Sequence, residues 1–187
     1  MSCDFVTKLK DIDGGLTASI HYDQDTEMPY GGDEAVHIVI LSGKYDDPSK
    51  GALGKDPKTV EKWRKDNSDE WYSVPLWAYV HSGSIWQVAA ENPFSCPFDS
   101  ARAGIIALKR SEWGNGAESD EKMFEFAKGV ASTYTEWANG ECYGYVIKNE
   151  DGDEVDACWG FIGMDAVEAE ARSAASNLAR TPAVATP

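Results

Sequence analysis

Cys142-Tyr143-Gly144-Tyr145-Val146-Ile147-Lys148-Asn149-Glu150-Asp151-Gly152-Asp153-Glu154-Val155-Asp156-Ala157-Cys158-Trp159-Gly160-Phe161 is the stretch on which the fold turns. Two runs rich in aromatic and β-branched residues flank Asp151-Gly152, a dipeptide favoured in two-residue hairpin turns. A turn there pairs Cys142 with Phe161 and Tyr145 with Cys158. Tyr143, Tyr145, Val146, Ile147, Trp159 and Phe161 put apolar side chains on both faces. That predicts a hairpin central in its sheet, with Tyr145 and Trp159 buried. Successive positions alternate faces, so Cys142 and Cys158 point to opposite sides and no disulfide joins them.

Working outward, the segment before this hairpin reads as a long helix. Ser119 is placed to cap it, Asp120, Glu121 and Lys122 fill its first turn, and Asn139-Gly140 supplies a left-handed stop. Phe124, Ala127, Ala131, Tyr134 and Ala138 recur at helical spacing as its buried stripe. After the hairpin, Asp165 caps a final helix with Val167, Ala171, Ala174 and Leu178 on one shallow apolar face.

Near the start, Phe5 to Asp11 and Leu16 to Tyr22 flank Asp13-Gly14-Gly15 as a first hairpin. Ala35 to Leu41 is apolar apart from His37 and predicts a strand buried on both faces. Lys44 to Lys58 reads as a long exposed loop, and Thr59 to Lys65 as a short helix anchored by Trp63. Leu76 to His81 and Ser84 to Ala89 read as strands joined at Ser82-Gly83. Asn92 to Ser100, with Pro93 and Pro97, is irregular, Gly104 to Leu108 is strand-like, and Gly114-Asn115-Gly116 is a break. No repeat and no linker stands out. The expectation is one α+β domain over residues 1–180, a mostly antiparallel sheet with one long helix and a C-terminal helix packed on it, then a flexible tail at 181–187.

Composition bounds the function. The chain has 187 residues, 42% hydrophobic and 11% aromatic, enough for a core despite a formal charge of −15. No apolar run approaches the ~20 residues of a membrane span, and the N-terminal residues show no secretory pattern. Cys3, Cys96, Cys142 and Cys158 form no C-x-x-C pair, so four free thiols in a reducing compartment are expected. Charge is uneven: residues 118–187 carry 14 acids and 5 bases, whereas residues 59–117 carry 7 and 6. That near-neutral middle also holds Trp63, Trp71, Trp77, Trp86 and Trp113.

Four blocks carry a resemblance. They are Trp77-Ala78-Tyr79-Val80-His81-Ser82-Gly83, then Pro97-Phe98-Asp99-Ser100-Ala101-Arg102-Ala103-Gly104-Ile105-Ile106, then Tyr134 to Tyr145, then Asp156-Ala157-Cys158-Trp159-Gly160-Phe161-Ile162-Gly163. In order and spacing they resemble a family of small uncharacterised proteins encoded by tailed bacteriophages. In that family a glycine and a glutamine follow the Asp-Ser pair, where this chain has Ala101 and Arg102. The resemblance spans residues 76–179 and brings no established activity. It implies a phage origin, a host bacterial cytoplasm setting and a non-structural accessory role.

The one nucleophile-like grouping is Cys96 with His81 and Asp99, a thiol, a base and an orienting carboxylate suited to a hydrolase or transferase. The plainer reading is a packed thiol in a proline-fixed loop and a histidine bonded to backbone. His21, His37 and His81 make no metal-binding pair. Asp11-Ile12-Asp13-Gly14 and Asp151-Gly152-Asp153 are hairpin turns rather than calcium loops, since neither continues to the required glutamate. No metal or cofactor is expected.

Each phosphate contact on a nucleic acid needs a cation, which a charge of −15 opposes, so direct nucleic-acid binding is disfavoured. An acidic face instead attracts proteins with basic, nucleic-acid-binding surfaces. The expected surface combines Glu118, Glu121, Glu125 and Glu136 on the long helix with Glu150, Asp151, Asp153 and Glu154 at the hairpin turn. The resulting expectation is an inhibitor that binds a basic bacterial protein of host defence or regulation. The alternative is a small thiol enzyme at His81, Cys96 and Asp99. Trp77, Trp86 and Arg102 are the next binding candidates should the acidic face fail.

Overall fold

A computed structural model describes residues 5–10, 12, 14–41, 56–113 and 117–180. Cys3, the loop within Lys44 to Lys58 up to residue 55, Gly114-Asn115-Gly116 and the tail at 181–187 lie outside the described residues. The fold is α+β, with two four-stranded antiparallel sheets and three α-helices among the described residues. Where the sequence reads as one continuous domain, the contacts gather in two compact units. A split unit takes residues 1–27 and 140–187, and an inserted unit takes residues 28–139.

In the split unit, β1 (Phe5–Lys8), β2 (Thr17–Tyr22), β7 (Cys142–Lys148) and β8 (Glu154–Ile162) lie in that order across the sheet. Gly14 and Gly15, at φ +74 and +69, make the first turn. The second hairpin forms where expected and Tyr145 faces Cys158. Its turn is longer than two residues: Asn149 N–H donates to Asp153 C=O at 2.9 Å, and Gly152, at φ +87, donates its N–H to Asn149 C=O at 3.1 Å. Bulges between Tyr143 and Tyr145, and between Ile147 and Lys148, shift its ends, so Cys142 faces Ile162 rather than Phe161. Cys96, Cys142 and Cys158 are free, and burial pushes the Cys142 thiol above its usual range.

The hairpin is only half central. β7 is an inner strand, but β8 is an edge, and Trp159 is 40% exposed rather than buried. The core of this unit forms on the opposite face, where α3 (Met164–Arg180) packs Val167, Ala171 and Ala175 against Ile20, Tyr143, Tyr145 and Ile147. Asp165 sits inside the first turn of α3 rather than at its cap, and Gly163 at φ +87 turns the chain into the helix.

In the inserted unit, the sheet order is β3 (Val36–Ile40), β6 (Ser100–Lys109), β4 (Trp71–Val80) and β5 (Ser84–Val88). β3 is an edge, so only Val36 and Ile40 are fully buried, and the expected burial of both faces is not realised. Pro75 falls inside β4 beside the end of β5, where its C=O accepts from Ala89 N–H at 3.2 Å. The Ala89 C=O is met by the Trp77 indole N–H, so no donor is needed from the proline. α1 (Pro57–Asp66) starts on Asp56, whose carboxylate accepts from Thr59 N–H at 3.0 Å, and buries Val60 against Ile105 and Ala107. α2 (Ala117–Ala138) covers the other face with Met123, Ala127, Val130, Ala131 and Tyr134. Met123 and Val130 replace the expected Phe124 and Ala138 at the centre of that stripe, the latter two being only partly buried. Ser119 lies within the helix, and its hydroxyl donates to Trp113 C=O at 3.1 Å instead of capping it.

Candidate functional site

The thiol cluster assembles at one end of the inserted sheet. Val80 N–H donates to Asp99 C=O at 2.9 Å, which returns the loop after β5 to the end of β4. Within that loop Asn92 Nδ2 donates to Ser100 Oγ, and Ser100 Oγ donates to Cys96 C=O at 2.6 Å. Cys96 Sγ then lies 3.3 Å from Asp99 Oδ2, and His81 Nδ1 lies 3.7 Å from the same oxygen. The expected trio therefore meets.

Its order differs from that of an activated nucleophile. Such a site needs the base against the thiol and the carboxylate behind the base. Here the carboxylate stands between them and accepts the thiol's hydrogen, so no base faces the sulfur. The imidazole contact is longer than a hydrogen bond, and the His81 side chain is 69% exposed. Tyr79 stacks beside it and Phe94 beside Tyr79, so the cluster reads as a pinned loop with a solvated histidine.

The eight expected acidic residues divide between the units. Glu118, Glu121, Glu125 and Glu136 belong to α2 of the inserted unit. Lys122 pairs with Glu118 and Lys128 with Glu125, each at 2.7 Å, and Glu136 is half-buried. Glu150, Asp151, Asp153 and Glu154 belong to the split unit, at the β7–β8 turn. All four are exposed, and among the described residues no ion pair offsets them. The split unit carries 15 acids and 5 bases in its sequence, against 17 and 12 for the larger inserted unit.

The reserve candidates have structural duties. Trp86 is buried in the core, and Trp77 Nε1 donates to Ala89 C=O at 3.0 Å. Arg102 binds Glu61, which also accepts from Arg64 at 3.1 Å. Partial burial alone would raise the Glu61 carboxyl, but bonds and charge from Arg102 and Arg64 outweigh it and hold the group below the usual carboxylate range.

Near that network lies a pocket that sequence reasoning passed over. Arg64, Lys65 and Arg110 line a cavity of about 490 Å³ together with Ser68, Trp71 and Ser73. The signal was divided: Arg64-Lys65 ends α1, and Lys109-Arg110 ends β6, 45 positions further on. The pairing of Trp71 with Lys109 and the Arg110 N–H bond to Glu70 C=O bring them together. Among the described residues no cluster of three metal-ligating side chains occurs, and no helix is long and apolar enough to cross a membrane. No family model, curated protein or solved structure matches the chain.

Proposed function

We propose that the chain is an acidic binding protein that occupies a basic surface on a protein partner. Recognition is centred on Glu150, Asp151, Asp153 and Glu154. The observation that carries this reading is the exposed, ion-pair-free state of that turn among the described residues, on the more acidic unit. Unpaired exposed carboxylates project their field outward, whereas the α2 acids spend part of theirs on Lys122 and Lys128. The tailed-phage resemblance makes a host defence or regulatory protein the natural partner, one whose basic surface holds nucleic acid, in the bacterial cytoplasm.

The test compares two charge-reversal variants against a partner captured from bacterial lysate and then purified. Glu150→Lys, Asp151→Lys, Asp153→Lys and Glu154→Lys together should slow association at least about tenfold and flatten its salt dependence. Glu121→Lys with Glu125→Lys should do less. Wild-type affinity in the turn variant overturns the reading.

A second reading, a thiol hydrolase or transferase, draws on the meeting of His81, Cys96 and Asp99. The same assay separates the two: a His81→Ala, Cys96→Ala, Asp99→Ala variant abolishes an enzymatic effect and spares a blocking one.

A further inference from the structure

The inserted unit, acidic as a whole, brings three cations together at one pocket. Arg64, Lys65 and Arg110 line the pocket at the Trp71 end of β4, with Glu61 as the acid in its wall. Glu61 is shared between Arg64 and Arg102, and Asp120 binds Arg110 at 2.5 Å. The lining itself holds three cations and one carboxylate, Glu61, while Asp120 answers Arg110 and the exposed Asp66, Asp69 and Glu70 adjoin the lining in sequence. The C-terminal dipole of α1 offsets about half a charge, through Arg64 and Lys65 in the last turn.

The cations are also held in place. Arg64 Nε donates to Ser73 Oγ at 3.0 Å and its Nη1 donates to Glu61. Arg110 Nε donates to Ser68 C=O at 3.2 Å, its Nη1 to Asp120, and its guanidinium lies 5.6 Å from the Tyr72 ring centroid. The second terminal nitrogen of Arg110 and the Lys65 ammonium bind no carboxylate among the described residues. Fixed guanidinium donors and an exposed ammonium around one concavity match a tetrahedral dianion. They suit a single planar carboxylate less well.

We infer that this pocket binds a phosphate group. The Trp71 indole in its wall is a flat apolar surface, so the phosphate can arrive free or on a nucleotide. The inference is independent of the acidic-turn reading, since all its residues lie in the inserted unit.

The probes are inorganic phosphate, AMP and adenosine, each titrated at about 0.1 M salt so that the general field is screened. The readout is the indole N–H resonance of Trp71, assigned with Trp71→Phe. Saturable shifts with phosphate and AMP, and none with adenosine, are expected. A response to AMP alone also supports the site and assigns it to a phosphate ester. Lys65→Gln should weaken phosphate about tenfold, the loss of one charge-assisted contact. Lys62→Gln, on the same helix but outside the pocket lining, should not. Arg110→Lys keeps the charge but loses the fork, and should weaken binding without altering the fold. The inference fails if neither phosphate nor AMP gives a saturable shift, if adenosine matches AMP, or if Lys62→Gln weakens binding as much as Lys65→Gln.

Discussion

Gly144 and Trp159 offer the sharpest test of how the split sheet is packed. A Cβ on Gly144 would lie 2.1 Å from Trp159 Cε3 and 2.4 Å from Cδ2, so the indole rests directly on the glycine. The Gly144 backbone is outside the left-handed region, so the ring and not the main chain forbids alanine. Trp159 is 40% exposed, which leaves roughly 150 Å² of a large indole covered. At about 25 cal/mol per Å², Trp159→Ala costs about 2–3 kcal/mol after the retained methyl is allowed for. That is below the 3–5 kcal/mol expected of a fully buried tryptophan.

Gly144→Ala must push the ring off the sheet and should cost about 1–3 kcal/mol as overpacking. With the ring already removed, the same change should instead gain about 0.5–1 kcal/mol, since alanine orders a strand more cheaply than glycine. The double variant is therefore more stable than the two single effects predict, by about 2 kcal/mol. Urea unfolding measures the cycle, and amide exchange over Tyr143–Ile147 isolates the split unit. Single effects that add within about 0.5 kcal/mol would sink the packing argument.

Two further outcomes follow from side chains that close or stress a strand. Asn139 accepts from Ser84 N–H and donates to Ser84 C=O, both at 2.8 Å, while Thr135 Oγ1 accepts from Trp86 N–H at 2.9 Å. Thr135 in the last turn of α2 and Asn139 just past its end thus cap alternate residues of the β5 edge. Asn139→Ala with Thr135→Val should cost about 1–3 kcal/mol and speed exchange of the Ser84 and Trp86 amides, and unchanged exchange there would show the edge needs no cap. Tyr145 donates to Asp156 at 3.1 Å, and burial, then that carboxylate, pushes its hydroxyl up to about 12. A raised value favours the folded state below pH 10 and loses that advantage as pH climbs toward 12. Stability should fall across that window, and Tyr145→Phe should flatten the fall. An equally steep decline in the phenylalanine variant would assign the effect elsewhere.

Local chemistry was legible and long-range order was not. Asp151-Gly152, Gly14-Gly15 and Asn139-Gly140 announced their turns, because glycine at positive φ is a requirement of one or two residues. The edge position of β8 had no such mark. Trp159 and Phe161 look like core residues whichever strands flank them, and only the pairing of β7 with β2 leaves β8 outside. The register slip at Cys142 traces to a bulge beside Gly160 at φ +89, a single inserted position that alternation cannot reveal. β4 begins at Trp71 rather than at the expected Leu76 and runs through Pro75, whose C=O still accepts from Ala89 N–H at 3.2 Å. Cys96, His81 and Asp99 were legible as a group, but which atom stands between the others depends on the Asn92–Ser100 loop geometry.

The chain interrupts one sheet to build another, and this bears on how its surfaces are to be separated. β2 pairs with β7 across roughly 120 residues, a closure costing several kcal/mol if the intervening chain were loose. Asp23 N–H donates to Cys142 C=O at 2.8 Å, so the chain leaves and re-enters the split unit at adjacent points, as an inserted unit requires. Each unit has its own core, one under α3 and the other between α2 and its sheet. The turn acids then depend on the first core, and the phosphate pocket and thiol cluster on the second. Reversing the turn charges should slow partner association at least about tenfold while the Trp71 response to phosphate persists. Removing Lys65 should do the opposite. Loss of both responses in either variant would mean the two surfaces act as one site, and the assignment of separate roles to separate units would fall.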